Sequence, residues 1–352
     1  MRQTWSRKKI LSAFPQKYRC SNSLVSFGYL IFDLAAIVGL TMLYHFSLQF
    51  LSVFHPLITI LYIYFTGIFF IALTVLAHEC GHGAFCRPLW LQNTIGFLIH
   101  SFLLWPYWAW RETHRLHHRY TNNSSFDTVH LPGPAINSIN IHIHPIVILI
   151  LTPITFWLYL IFNIGGVGSR YKTKPFYKHN HFSASNPIFS GIKMKVKLDL
   201  VAVLSFLVAS LIFCKIYGFD AVFIHYYGPI LVMQFYLVAF TKMQHHDHSS
   251  TWLTVEEWTP EHGIKNTFDR EFGPFNMLNR LTHHIMDSHV VHHIASSIPH
   301  YNAVKLTKTV QTIMGNDYKQ IPRRLSFVLS YYKTLCIDHR RNKEKKKKEL
   351  GL

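Results

Sequence analysis

Long apolar stretches constrain this chain more than any other feature, and the one from Leu57 to Ala77 carries no charged side chain. A helix needs about 20 apolar residues to cross the hydrocarbon of a bilayer. The sequence contains six stretches of this kind: 24–45, 55–77, 91–108, 144–164, 198–217 and 221–241. Backbone groups in lipid must be hydrogen-bonded within the chain, so such stretches are expected to be helical. The sequence therefore predicts an all-α, polytopic membrane protein.

The distribution of Lys and Arg sets the expected topology. The chain has 35 Lys and Arg against 17 Asp and Glu, and the excess is concentrated in 1–22, in 165–197 and in the C-terminal tail. These segments are expected to be cytoplasmic, and the connections 46–54 and 214–220 to lie on the other side. Four stretches then cross the membrane: 24–45, 55–77, 198–217 and 221–241. The other two must return as re-entrant or interfacial helices; six full spans are the alternative.

A formal charge of +18 also occurs in proteins that bind nucleic acid. In a chain with this many apolar stretches, the charge is better explained by a cytoplasmic face that meets anionic lipid and an acidic soluble protein. We therefore expect no nucleic-acid partner. The division we expect is one membrane domain over 1–341, followed by a basic, disordered tail over 342–352.

Histidine is unusually frequent, with 25 residues, and many of them occur in three short arrays. The arrays are "HECGH" (78–82), "HRLHH" (114–118) and "HVVHH" (289–293). Their histidines are His78, His82, His114, His117, His118, His289, His292 and His293. Within each array the spacing is i, i+4 or i, i+3, i+4, which places the imidazoles on one side of a helical turn. All three arrays fall on the predicted cytoplasmic side, so they form a histidine-rich cap.

Eight imidazoles are more than one tetrahedral zinc ion needs. They suit two ions of higher coordination number, and two irons fit best among the common metals. His245 and His248, in "QHHDH" after the last apolar stretch, are candidates for a further ligand. Glu79, Asp127 and Asp287 are candidates to accept hydrogen bonds from imidazole N–H groups and so to orient them.

Several longer blocks occur together with the arrays. They are "HECGHGAF", "HRLHH", "LYLIFN" followed by "HFSASNPIF", "FDREFG" and "HHIMDSHVVHHIASSIPHYNAVKLTK". In this order, and over nearly the whole chain, they resemble the membrane fatty acid desaturases, within them the acyl-lipid Δ12 (omega-6) and omega-3 branch. The resemblance implies a non-haem di-iron enzyme that uses O₂ and two electrons to remove two hydrogens from an acyl chain. The eight array histidines match the family's ligand positions, and a further ligand is implied just after the last span.

The resemblance also sets expectations about substrate and partners. The stretch "SSIPHYNAV" after His293 is nearer the Δ12 type, which converts oleoyl to linoleoyl chains, whereas Gly83 is as in omega-3 enzymes. An omega-3 desaturase, or a diverged hydroxylase, conjugase or acetylenase, is the alternative. The implied partners are a fatty acyl lipid, membrane lipids, and cytochrome b5 or a ferredoxin as electron donor. The implied location is the endoplasmic reticulum membrane in a eukaryote or the inner membrane in a bacterium.

A metal transporter is the competing class, because histidine clusters can be transit sites. It would require ionisable residues inside the spans, lining a path. The predicted spans contain almost none, and their carboxylates are Asp33 and Asp199. No side chain is assigned as a catalytic base, because the C–H bonds in the middle of an acyl substrate are not acidic enough for one.

Overall fold

The computed structural model describes residues 5–129, 143–163 and 180–349, and most of them are helical. In chain order the helices are α1 (Arg7–Ala13), α2 (Ser23–Phe50), α3 (His55–His82), α4 (Leu89–Phe102), α5 (Tyr107–Tyr120), α6 (Pro145–Phe162), α7 (Lys193–Tyr217), α8 (Phe219–Val222), α9 (Gly228–His245), α10 (Pro260–Lys265), α11 (Met277–Leu281), α12 (His289–Ile294), α13 (His300–Met314) and α14 (Phe327–Glu349). A π-helical turn, Phe223–Tyr227, joins α8 to α9. Helix α14 extends into 342–352, and the division into a domain and a tail stays a prediction.

Five helical segments are long and apolar enough to cross a membrane. They are Gln16–Phe50, His55–His82, Pro145–Phe162, Lys193–Tyr217 and Phe219–His245. Four of them contain the four predicted spans, so a polytopic helical membrane protein is confirmed. The fifth, α6, is the stretch that was predicted to return to its own side. Length and composition thus allow one more span than the topology prediction, and the four-span count stays a prediction.

The apolar stretch 91–108 is divided between two helices. Helix α4 ends at Phe102, Leu104 has a left-handed φ of 59°, and Pro106 is the N-cap of α5. Helix α4 has 14 residues, whereas about 20 are needed to cross a bilayer. This stretch therefore contains a short helix, a sharp corner and the start of the helix that carries the second histidine array.

Helix α3 is the central helix, and it packs against α2, α4, α5 and α9. Of the 18 most apolar consecutive residues of α3, 72% are buried. The corresponding fraction is 11% in the first segment and 11% in α7. The large apolar side chains of α2 and α7 therefore face outward, as in a protein surrounded by lipid. Pro56 lies in the first turn of α3, and Gly83 ends the helix with a left-handed φ of 76°.

The structure also contains two short strands, which the all-α prediction missed. Strand β1 (Asp269–Phe272) pairs in parallel with β2 (Gln320–Arg324), with Asp269 opposite Gln320 and Arg270 opposite Ile321. The segments are only four and five residues long, so their period-2 pattern is too short to recognise in the sequence. The pair connects the segment after α9 to the C-terminal part of the chain, next to the histidine arrays.

Candidate metal centre

The first array lies in the last turns of α3, where the helix leaves the apolar part of the molecule. His78 and His82 are one helical turn apart, and their Nε2 atoms are 3.2 Å apart. Gly83 follows directly, and its left-handed φ allows the chain to turn away immediately after His82. The array therefore ends a long buried helix and places two imidazoles at its exit.

The second array lies on α5, a helix that is apolar on one side and polar on the other. His114 and His118 point to the imidazoles of the first array, and His114 Nε2 is 2.8 Å from His78 Nε2. His117, on a neighbouring side of the helix, points instead to His245 at the end of α9, with 3.2 Å between their Nε2 atoms. The spacing i, i+3, i+4 thus serves two different groups of imidazoles.

Five imidazoles form the first of these groups, here called the five-histidine group. Its members are His78, His82, His114, His118 and His292. The Nε2 atoms of His118 and His292 are 3.0 Å apart, as are those of His114 and His118. Each residue offers a ligand atom, and all five atoms lie within 4.8 Å of one another, so the group could hold a metal ion.

A second group lies deeper in the protein and is here called the deep group. It consists of His117, His245, His289 and His293. His245 Nε2 is 3.2 Å from His289 Nε2, and His289 Nε2 is 3.1 Å from His293 Nε2. The ligand atoms of His117, His245 and His293 lie within 4.8 Å of one another, so these three residues could hold a metal ion. His289 adjoins them through His245 and His293. All four side chains are buried.

Two polar side chains orient imidazoles of the deep group. Asp127 is fully buried, and its Oδ1 accepts a hydrogen bond from Nδ1 of His117 at 2.9 Å. Its Oδ2 accepts from the backbone N–H of Asn122 at 2.8 Å, so the carboxylate is itself fixed. The Thr121 hydroxyl donates to the carbonyl of His117, which leaves its oxygen to accept from Nδ1 of His293 at 3.1 Å. In both imidazoles the Nε2 lone pair is thereby directed into the group.

Burial lowers the pKa of the array histidines that lie outside the membrane-spanning segments. These are His114, His118, His289, His292 and His293. Loss of hydration is the largest cause, and repulsion between neighbouring imidazoles acts in the same direction. These side chains are therefore neutral at neutral pH, the form in which imidazole binds a metal.

An apolar cavity of about 230 Å³ reaches both groups. Its walls come from α3, α5, α6 and α9, with aromatic side chains that include Trp105, Trp110, Phe156 and Tyr159. Imidazoles from both groups line one part of it: His78, His114, His117, His245 and His289. A slender apolar molecule in this cavity would therefore lie beside both histidine groups.

Comparison with known proteins identifies the family to which this architecture corresponds. The family model described as fatty acid desaturase matches residues 27–323. The chain belongs to the fatty acid desaturase family. It is therefore an oxidoreductase, as the resemblance implied.

The desaturase is similar over most of its length to several plant enzymes. It is 33% identical over 333 residues to a Δ12 fatty acid desaturase of Calendula officinalis, covering 90% of this chain and 84% of the relative. It is 32% identical to an omega-6 fatty acid desaturase, endoplasmic reticulum, of Brassica juncea, covering 84% and 77%. It is 31% identical to a Δ12 acyl-lipid conjugase of Momordica charantia, covering 90% and 80%.

Three residues predicted for the site of the desaturase lie elsewhere. The His248 side chain is 80% exposed and pairs with Asp247 at 2.5 Å, so the structure does not bring it to either group. Glu79 accepts from the backbone N–H of His300 and lies 3.1 Å from its Nδ1, instead of orienting an array imidazole. The Asp287 carboxylate lies 3.1 Å from Nδ1 of His284. Sequence spacing could not separate these residues from His245 and Asp127, because it does not show which way a loop side chain points.

Two charged residues in "FDREFG" support the site, although no motif in the sequence indicated this role. Asp269 accepts from the backbone N–H of Val290 at 2.9 Å, which holds the first turn of α12. Arg270 donates to the carbonyl of Met243 at 2.8 Å and to that of His246 at 3.1 Å, which fixes the end of α9 beside His245. Burial raises the pKa of Asp269 to about 7 and lowers that of Arg270 to about 10. The sequence did contain one indication of this role: Asp269 and Arg270 are adjacent, oppositely charged residues between Phe268 and Phe272.

Proposed function

We propose that this desaturase introduces a double bond into a fatty acyl chain with O₂ as oxidant, using two iron ions held by the five-histidine group and the deep group. The observation that carries the proposal is the apolar cavity, which has imidazoles of both groups along one part of its wall. The acyl chain gives up two hydrogens, and O₂ takes these together with two electrons and two protons. Two waters and one C=C bond are the products.

The spacing of the imidazole nitrogens is that expected of ligands to one metal ion. Metal–nitrogen bonds to histidine are about 2.1 Å long, so two ligands at a right angle are about 3.0 Å apart. The Nε2 atoms of neighbouring imidazoles in the two groups are 2.8–3.2 Å apart. All-nitrogen donor sets suit iron as well as other transition metals, and the family favours iron. Bound iron would supply the activation of O₂ that no side chain provides.

The protein itself supplies orientation and a dry surrounding. Asp127 and Thr121 keep the His117 and His293 rings in the tautomer whose Nε2 faces the deep group. The ring of Trp110 stacks on that of His114 at 4.7 Å and fixes it from the cavity side. The apolar cavity wall excludes water, so that the chain position nearest the two groups is set by how far the acyl chain enters.

Oleoyl lipid is the proposed substrate, with the new bond on the methyl side of the existing one. Support comes from the Δ12 and omega-6 names of the relatives and from the stretch after His293. The conjugase among the relatives shows that this scaffold also supports other outcomes. Omega-3 desaturation, conjugation, hydroxylation and acetylenic-bond formation therefore stay as alternatives.

We further propose that four helices cross the membrane and that α6 returns to the histidine side. Contacts at its two ends support this. At the first end, the rings of His144 and His339 are 6.4 Å apart, and the neighbouring Asp338 pairs with His246 just after α9. At the other end, the Leu160 carbonyl accepts from the backbone N–H of His181, whose Nε2 is 3.2 Å from Thr113 on α5. The proposed location is the endoplasmic reticulum membrane, or the inner membrane in a bacterium, with the histidines cytoplasmic.

Metal transport is less well supported. Two carboxylates inside the long apolar segments have structural partners: Asp33 accepts from His283 at 2.7 Å, and Asp199 accepts from the backbone N–H groups of Trp108 and Ala109. A transport path would require ionisable side chains free to contact a passing ion.

The test is expression in a host that contains oleate and lacks linoleate, followed by fatty acid profiling and metal analysis of the purified protein. We expect linoleate, two irons per chain, and loss of linoleate in His292→Ala with membrane insertion unchanged. Linolenate from supplied linoleate, with oleate untouched, would favour the omega-3 alternative. One zinc and no iron would contradict the di-iron centre.

A further inference from the structure

One side of α5 carries a row of basic side chains beside a tryptophan. Arg111, Arg115 and Arg119 follow one another at intervals of four residues, and Trp108 lies on the same side one turn earlier. Lys195, from the first turn of α7, lies over the Trp108 ring with its Nζ 4.3 Å from the ring centroid. These five residues, Trp108, Arg111, Arg115, Arg119 and Lys195, are here called the basic face.

The basic face is accessible and rigidly built. Arg119 and Lys195 are exposed, Arg115 has a side chain that is 55% exposed, and Trp108 and Arg111 are partly exposed. Glu112 pairs with Arg115, so the face combines four cations with a neighbouring carboxylate. Helices α5 and α7 are joined beneath the face, since Asp199 accepts from the backbone N–H groups of Trp108 and Ala109 at 3.1 and 2.9 Å. The positive charge is therefore held in place rather than spread along flexible loops.

The basic face lies directly over the five-histidine group. Gly81, next to His82, packs beneath it: a methyl group at Gly81 would be 3.0 Å from the Trp110 ring and 3.9 Å from the Arg111 side chain. The Trp110 ring stacks on His114 at 4.7 Å. Because Trp110 and Arg111 are neighbours on α5, only one layer of side chains separates the basic face from these imidazoles.

A continuous series of ring contacts also leads inward from Trp108. The centroids of Trp108 and Tyr107 are 5.0 Å apart, those of Tyr107 and His100 are 5.4 Å apart, and those of His100 and Trp110 are 4.9 Å apart. Trp110 then stacks on His114. Electron tunnelling weakens steeply with distance and with gaps in packing, so a carrier on the basic face would be well placed to reduce a metal in the five-histidine group.

We propose that the basic face is the docking surface for an acidic one-electron carrier protein, and that electrons enter through the five-histidine group. The inference rests on the proposed function, since two electrons from outside are needed for each double bond. The deep group offers no comparable entry, because its four imidazoles are buried whereas His82 and His118 are partly exposed. A carboxylate-rich surface would complement the face and be attracted over about 8–10 Å at physiological salt.

Anionic lipid headgroups are the competing explanation for these cations. Headgroup binding would account for the exposed Lys and Arg side chains. It gives no reason for placing them over the five-histidine group, with packed aromatic rings leading inward. The experiment therefore removes anionic lipid as a variable.

Binding is measured on metal-free protein in nanodiscs of neutral phosphatidylcholine, with the soluble haem domain of cytochrome b5 and a plant-type ferredoxin as the two probes. The test variant is Lys195→Glu combined with Arg119→Glu. The matched control is Lys305→Glu combined with Lys308→Glu, which makes the same charge change at exposed positions on α13. We expect the test variant to lower the association rate of at least one carrier by about ten-fold at low salt, with the difference lost at high salt. The control should stay within about two-fold of wild type.

Turnover is then measured with each carrier and with a small chemical reductant. We expect the test variant to lose carrier-driven turnover and to keep chemically driven turnover. Equal binding by wild type and test variant, an equal loss in the control, or no binding of either carrier by wild type would overturn the docking surface. The measurements are repeated in nanodiscs that also contain anionic lipid, and a defect of the test variant that appears only there would overturn the docking surface in favour of lipid headgroups. Absence of chemically driven turnover in wild type would instead count against the proposed function.

Discussion

The two histidine groups are made of the same side chain but are held in different ways. In the deep group, Asp127 and Thr121 accept hydrogen bonds from the Nδ1 atoms of His117 and His293. In the five-histidine group, the buried Nδ1 atoms of His78 and His118 have no hydrogen-bond partner among the described residues, as is also the case for His289 of the deep group. Helix spacing and packing orient this second set, including the Trp110 ring that stacks on His114.

The two groups also differ in the solvent exposure of their imidazoles. His82 and His118 of the five-histidine group are partly exposed, whereas every member of the deep group is buried. Imidazoles fixed by hydrogen bonds, as His117 and His293 are, have their orientation before metal arrives, whereas imidazoles held only by packing can adjust to it. The difference supports the proposed division of tasks, in which both groups line the cavity and the more exposed five-histidine group faces the surface proposed to receive electrons.

Loss of one histidine from either group should have the largest effect. We expect His292→Ala to empty the five-histidine group and His117→Ala to empty the deep group, each abolishing desaturation. Iron analysis should give half the wild-type content per chain in both variants. His225→Ala, which removes a partner of Tyr62 far from the arrays, is the control. Complete iron loss in only one variant would show that one group forms only after the other, and unchanged iron in either would contradict its assignment.

The pair His245 and His248 tests the boundary of the deep group. His245→Ala should behave like an array variant, because its Nε2 lies 3.2 Å from those of both His117 and His289. His248→Ala should retain activity within about two-fold, as exposed surface substitutions usually do. The measurement is linoleate formation per mole of inserted protein. Comparable losses of linoleate formation in His245→Ala and His248→Ala would contradict the assignment of His245, but not His248, to the deep group.

Replacing the supporting carboxylates should have a smaller effect that still separates the groups. Asp127→Asn removes the negative charge that fixes the His117 tautomer and turns an NH2 donor toward the N–H of either His117 or Asn122, so iron affinity of the deep group should fall about 10–100-fold. Glu79→Gln is the matched variant, because Glu79 contacts His300 instead of an array imidazole. Chelator titration should show one weakened iron in Asp127→Asn and two nearly normal irons in Glu79→Gln. Weakening of both irons to the same extent by Asp127→Asn would remove the distinction between the groups.

The Thr121 hydroxyl should contribute least. Thr121→Val removes the acceptor for Nδ1 of His293, at a cost of about 0.5–1.5 kcal/mol for one hydrogen bond. The resulting loss of deep-group iron affinity should be at most about ten-fold. Thr307→Val, which removes a hydroxyl bond to the Ala303 carbonyl within α13, should leave chelator titration unchanged. An unchanged titration in Thr121→Val would mean that packing alone orients His293.

Local patterns predicted the helices that bring the imidazoles to the site. Uninterrupted apolar stretches correctly predicted the long helices, and the i, i+4 spacing correctly placed His78 and His82 together on one turn. The family was recognisable from the order of the histidine blocks. Patterns of this kind are readable because a helix repeats every 3.6 residues, so neighbours in space are near in sequence.

The division of the arrays between two groups depended on the tertiary structure. His117 and His118 are adjacent in sequence, yet one contacts His245 and the other His292. The supports of the site likewise come from distant segments, as when Asp269 holds the first turn of α12 through Val290. A membrane desaturase with histidine arrays on helical turns was recognisable from the amino acids alone, because those features repeat locally. Which imidazoles meet, which carboxylate orients them and where the cavity lies depend on packing between helices far apart in sequence, and no local pattern encodes that packing.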